Sequence, residues 1–229
     1  MLRVAMILFA CSLASQVLPQ DGGRSLQFVP RMDSGALQLD EMVMLADGTK
    51  VTVTQLRFYA SQIRFFRRGR MCFVDSASHL IDASEPKSLE IQSGLLRNVQ
   101  VDSISFLLGI DSLTNVSGAF GGDLDPTKGM YWAWNSGYIN WKLEGTCAKC
   151  GTAKSGFEFH LGGYLPPFFN AQRIGLPVRT KGTIEITVDV AAFLEQAKLG
   201  EHCTIMSPSM AAVELARVAA SVFKASGHD

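Results

Sequence analysis

No apolar run in these 229 residues reaches the roughly 18 needed for a membrane-crossing helix, so no membrane span is expected. Neither charge is in excess, since Lys+Arg and Asp+Glu number 21 each. A protein devoted to nonspecific nucleic-acid binding needs a clustered positive surplus, and that class is excluded. Coiled-coil and collagen patterns are absent, as are linkers, low-complexity stretches and internal repeats. Histidine is scarce: His79, His160, His202 and His228 are the full set. There is no Gly-x-Ser-x-Gly elbow, no phosphate-binding Walker loop, no His-Glu-x-x-His and no dinucleotide glycine fingerprint. Nothing nominates a catalytic centre, and an enzyme is the function class with the least support. What the chain has is apolar bulk, 47% of its residues, which suffices to bury a core and is too much for a disordered chain.

The N-terminus reads Met1-Leu2-Arg3, then an apolar run over residues 4–13, then Ala14 and Ser15. A short positive region, an apolar core and small residues after it are the three parts of a secretory signal. Residues 1–20 are therefore expected to be a signal peptide and residues 21–229 the mature domain, in the periplasm or secreted. Leu8-Phe9-Ala10-Cys11 is similar to a lipoprotein cleavage site, but the segment before Cys11 is short, and lipidation is the lesser alternative. Cleavage beyond Cys11 leaves Cys72, Cys147, Cys150 and Cys203, an even number that favours disulfides in an oxidising compartment. Four cysteines allow three pairings; a local Cys147–Cys150 bridge with a long Cys72–Cys203 bridge is the preferred one. A thiolate pair holding a soft metal is the rival use of Cys147-Ala148-Lys149-Cys150.

Short alternating segments follow the signal. Residues 37–45 and 51–60 flank Ala46-Asp47-Gly48-Thr49, a turn sequence. Residues 63–66 and 71–74 flank Arg67-Arg68-Gly69-Arg70, which reads as a solvated hairpin tip with anion binding as the alternative. Residues 99–108 are rich in β-formers, residues 138–143 and 157–161 suit a hairpin whose loop carries the cysteine pair, and residues 183–188 alternate. Residues 190–199 look helical. Ser207-Pro208 sets up a cap and a first-turn proline before a second helix to about Lys224. The fold class expected is mainly β: a single β-sandwich domain with a C-terminal helix. Asn115-Val116-Ser117 is a glycosylation sequon, relevant only in a eukaryotic secretory pathway.

All three tryptophans and three of the four tyrosines lie within residues 131–164. Packing of strand aromatics is the plain reading of such a cluster; a redox-active or ligand-bearing aromatic site is the functional one. Within and around it stand Leu56-Arg57-Phe58-Tyr59-Ala60-Ser61-Gln62-Ile63, His79-Leu80-Ile81-Asp82, Leu108-Gly109-Ile110-Asp111, Leu124-Asp125-Pro126, Gly129-Met130-Tyr131-Trp132-Ala133-Trp134, Lys142-Leu143-Glu144-Gly145, His160-Leu161-Gly162-Gly163, and Ile205-Met206 with Pro208. In this order the blocks resemble the MbnP-like family, periplasmic copper-binding proteins associated with methanobactin genes.

The resemblance implies a β-sandwich that binds copper, Cu(I) or Cu(II), outside the cytoplasm. It implies two histidine ligands, His79 and His160. A third ligand would be a tryptophan oxidised to kynurenine, with Trp132 and Trp134 the candidates. The oxidant it implies is a partner dihaem cytochrome c peroxidase-like protein of the MbnH type. Residue chemistry is compatible, because imidazole suits copper and indole nitrogen is a donor only, so tryptophan must be opened before it can ligate. His202 beside Cys203 and the thioether of Met130 are weaker metal candidates; Met206 is another soft thioether. Asp123 and Asp125 resemble a fragment of a calcium loop, but turn formation around Pro126 is the simpler use. The alternative function is a metal-free secreted β-sandwich interaction module.

Overall fold

The computed structural model describes residues 24–33, 35–93, 100–151, 155–178 and 182–225. The expected signal peptide, Cys11 and His228 lie outside them. The strands are β1 (Arg24–Met32), β2 (Gly35–Ala36), β3 (Met42–Met44), β4 (Lys50–Arg67), β5 (Arg70–Asp82), β6 (Glu90–Ser93), β7 (Ser103–Leu108), β8 (Tyr131–Trp132), β9 (Gly137–Cys147), β10 (Gly156–Gly162), β11 (Gln172–Pro177), β12 (Ile184–Asp189), β13 (Thr204–Ile205) and β14 (Phe223–Ala225). The helices are α1 (Ser112–Val116), α2 (Val190–Gln196) and α3 (Met210–Ser221). Among the described residues no helix is long and apolar enough to cross a membrane.

β4 organises the molecule. Val51, Val53, Leu56, Phe58, Ala60, Ile63 and Phe65 are buried on one face, the period expected of a strand with one face in a core, interrupted by bulges. One edge of β4 pairs with β3 and then β5; the other pairs with β9 over its first half and with β7 over its second. The larger sheet runs β11-β7-β4-β9-β10-β13. A smaller sheet, β14-β12-β1-β2 with β6 also on β1, covers the inner face of the larger one. Phe28 of β1 meets Phe58 and Phe106 edge-on, at ring separations of 5.4 and 5.7 Å, and Phe223 of β14 closes on Phe58 at 5.4 Å. Such aromatic contacts add to the area they bury. The fold is thus mainly β, two packed sheets with α3 near the C-terminus, as the patterning predicts.

The details differ from the pattern in instructive ways. The two segments read as separate strands before the arginine tip are one 18-residue strand. The tip turns through Arg68 and Gly69, both at positive φ (51° and 71°), which lets β4 run straight into β5. α3 starts later than the Ser207-Pro208 signal, because the Ser209 hydroxyl caps it by accepting from Ala212 N at 3.1 Å. It also ends at Ser221, and the residues expected to finish it form β14 against β12.

The preferred disulfide pairing is corrected. Cys150 bonds Cys203, with Cα atoms 5.7 Å apart, while Cys72 is exposed and Cys147 is buried, and both are free thiols. Cys147 ends β9 with its thiol buried in the main core beside Cys150, but Cys150 pairs with Cys203 instead. The β10–β13 pairing instead brings residue 203 beside the 147–150 turn.

Candidate metal centre

Most of the candidate residues lie on the outer face of the larger sheet, the one β1 does not cover. Alternation along β4, β5, β9 and β10 puts Asp82, Arg57, Lys142 and His160 in one cross-strand row on that face. Beside the row sits a second hydrophobic cluster of Tyr59, Leu80, Ile110, Met130, Trp132, Tyr138 and Ile139. Residues 118–130 are laid over this face and held there by polar groups. Tyr59 donates to Asp123 O at 3.1 Å, Tyr138 donates to Leu124 O at 3.1 Å, and Arg57 Nη1 donates to Lys128 O at 3.0 Å. Burial pushes both tyrosine hydroxyls above their ordinary range, so they act as neutral donors.

His160 is 6% exposed, and its Nε2 lies 2.7 Å from Glu144 Oε1. Lys142 Nζ approaches the same oxygen at 3.2 Å. Burial lowers the pKa of His160 more than the Glu144 bond raises it, so the ring is neutral at neutral pH. Glu144 is pulled the other way: burial raises it, but His160 and Lys142 together hold it below its ordinary value. Two positions along β10, Gly162 lies on the same face under the indole of Trp132, where a Cβ would come within 2.6 Å of the ring. His160 and Trp132 are therefore neighbours on one face. Met130 is fully buried in the same cluster. Trp134 is 66% exposed and stands 5.5 Å from Trp132, ring to ring, whereas Trp132 is 6% exposed.

His79 is elsewhere. It pairs with Ala60, whose side chain is in the main core, so alternation turns it to the inner side, and its Nε2 is bound to Asp75 Oδ2 at 2.9 Å. From β5 to β10 there are three strand spacings, roughly 14 Å. Two nitrogens on one metal must both lie about 2 Å from it, so His79 and His160 do not meet in this fold. His202 is exposed in the irregular segment before β13. Met206 is 42% exposed, and Trp141 stacks in the main core against Phe58 at 5.5 Å. Among the described residues no group of three or more His, Cys, Asp or Glu could hold a metal. The donor set implied for copper is thus half assembled, with His160, Trp132 and Met130 on one face and His79 apart.

Several residues that build the site carried no chemical signal of their own. Glu144 and Arg57 were visible only as members of the resembling blocks. Asn115, Asn140 and Asn170 were not singled out as a set, yet all three are buried and join the strands where β7 and β9 part from β4. Asn140 accepts from Ile110 N at 2.9 Å and donates to Asn170 Oδ1 at 2.6 Å. Asn170 donates to Gly162 O at 2.8 Å. Asn115 donates to Ile110 O at 3.1 Å and accepts from Tyr138 N at 2.8 Å. The sequon asparagine is therefore spent inside the fold and offers no amide to a glycan.

A profile of the family described as MbnP matches residues 21–209 of this chain. No curated protein matches. The solved structure of MbnP from Methylosinus trichosporium is similar, with 11% identity over 77% of this chain and 78% of that one, at a TM-score of 0.46. The chain belongs to the MbnP family.

Proposed function

We propose that this member of the MbnP family is an extracytoplasmic copper-binding protein, not an enzyme, serving copper capture or trafficking through the outer face at His160. The observation that carries this reading is the state of His160. Its Nε2 is engaged by a carboxylate and the ring is neutral, which leaves Nδ1 as the nitrogen for a metal. Metal-bound histidines commonly engage a carboxylate or carbonyl through the other ring nitrogen in this way. Trp132 is the second ligand, after a four-electron oxidation by peroxide at the haem partner cleaves its indole C2–C3 bond, C3 becomes a ketone, and hydrolysis releases C2 as formate and frees the amine nitrogen of kynurenine. The thioether of Met130 suits Cu(I) as a soft third donor. The oxidant is a dihaem peroxidase-like partner, and the exposed ring of Trp134 is the side from which it reaches Trp132. His79 is left out of the site.

Peptide mapping and metal analysis of protein from the native host test this. The expected result is bound copper and a Trp132 peptide in which one ring carbon is exchanged for one oxygen. His160→Ala should abolish copper binding, whereas His79→Ala should retain it. Intact tryptophans with no copper would overturn the reading.

One observation favours the interaction module instead. Residues 112–122, 129–141 and 160–172 contain no Asp, Glu, Lys or Arg. They expose Leu113, Val116, Trp134, Leu165 and Phe169, an apolar rim of the kind that marks interfaces. Unaltered partner binding by a copper-free His160→Ala protein would support that second reading.

A further inference from the structure

The outer face carries a second feature that shares no residue with His160, Trp132 or Met130. Between the turn after β5 and residues 123–128 opens a cleft of about 510 Å³, within the size range of small-molecule sites. Leu80 gives it an apolar wall. Its charges balance: Arg57, Lys87 and Lys128 against Asp82, Glu85 and Asp123. The sum of charge therefore does not choose a ligand, but the remaining hydrogen-bonding capacity does.

Each carboxylate oxygen of Asp82 and Asp123 already has at least one donor. Asp82 takes Arg57 Nε on one oxygen at 2.6 Å, and Ser84 N and Oγ on the other at 2.9 and 2.7 Å. Asp123 takes Lys128 Nζ at 2.7 Å and Leu80 N at 3.1 Å. The Ser88 hydroxyl lies within bonding distance of Asp82 O at 3.0 Å and Glu85 O at 2.8 Å, and it accepts from Asp82 N at 2.9 Å. Only Glu85, exposed at the rim, keeps a carboxylate free of side-chain partners among the described residues.

The donors are only partly engaged. Arg57 engages Nε and Nη1, and among the described residues its Nη2 has no partner. Lys128 engages Asp123 with one of its three N–H groups, and Lys87 is exposed without an ion pair among the described residues. Two bonds hold the Arg57 guanidinium in place before any ligand arrives, which lowers the ordering cost of binding. A planar guanidinium with an ammonium beside it matches the geometry of carboxylates.

We propose that this cleft binds a small organic polycarboxylate, with Arg57 Nη2 and Lys128 Nζ taking its carboxylates and Lys87 closing over them from the rim. The site is independent of copper, so its failure and the failure of the copper reading are separate results.

The test is calorimetric titration of the metal-free, full mature chain with citrate, succinate, inorganic phosphate and glucose. Saturable binding of citrate or succinate is expected, with none of glucose. Lys87→Glu, at an exposed position, should weaken it by at least about tenfold without moving the thermal midpoint. Arg57→Lys keeps the charge facing Asp82 but removes Nη2, and should weaken it similarly. Three results would each overturn the proposal: no saturable carboxylate binding up to about 10 mM, binding indifferent to both substitutions, or binding of phosphate alone.

Discussion

The two faces of the larger sheet are built on different principles. The inner face is packed by shape: Phe28, Phe58, Phe106, Trp141 and Phe223 interlock, and polar groups are few. The outer face is packed by hydrogen bonds. Ser61, Asp82, Asn115, Asn140, His160 and Asn170 are all buried there or at the seam where the sheet divides, and each has a partner. A shape-packed face tolerates exchange among apolar residues of similar volume. A hydrogen-bonded face does not, because losing one partner strands the other in a low-dielectric interior. The proposed copper site is on the second face, where hydrogen bonds fix His160 and the asparagines around it.

The largest expected effect breaks the inner face. Phe58→Ala removes a ring touching Phe28, Trp141 and Phe223, and should cost about 4 kcal/mol in urea unfolding. Next is the seam. Asn140→Ala strands Ile110 N–H and the Asn170 side-chain oxygen and should cost about 2–3 kcal/mol, although it deletes far less buried surface. A loss below that of an ordinary surface substitution would mean that the seam is not what holds the outer face.

A smaller effect is readable by pH. Asp111 caps α1, and burial pushes its pKa up, but bonds from Thr114 N and Oγ1 at 3.0 and 2.8 Å outweigh burial and hold it below 3.8. A carboxylate lowered on folding stabilises above its unfolded value, and the contribution disappears as pH falls through the folded value. Stability should therefore fall below about pH 3.8, and Asp111→Asn should flatten that acid limb while costing about 1 kcal/mol near neutrality. The smallest effect is at Cys72, exposed and unbonded to other cysteines: Cys72→Ser should change unfolding by less than about 0.5 kcal/mol.

Much of the architecture was legible in the chain. Alternation in residues 51–60 and 183–188 marked β4 and β12, and the Arg67–Arg70 tip marked the hairpin. β1 and β11 were missed, since β1 carries Pro30 and β11 ends on Pro177, and proline reads as a strand breaker. β14 was missed because its residues continue the helical apolar spacing of α3; pairing with β12 overrode local propensity. The blocks that resemble the MbnP family were legible one by one, but that Arg57, Asp82, Lys142, Glu144 and His160 share a face was not.

The sequence by itself determined the class of fold and the family, because both are written in local periodicity and in ordered short motifs. Tertiary structure alone decided which histidine stands beside a tryptophan and which cysteines bond. A single residue of register moves a side chain to the opposite face of a sheet. His79 and His160, equivalent as letters and each joined through Nε2 to a carboxylate, are separated by that parity and by three strand spacings.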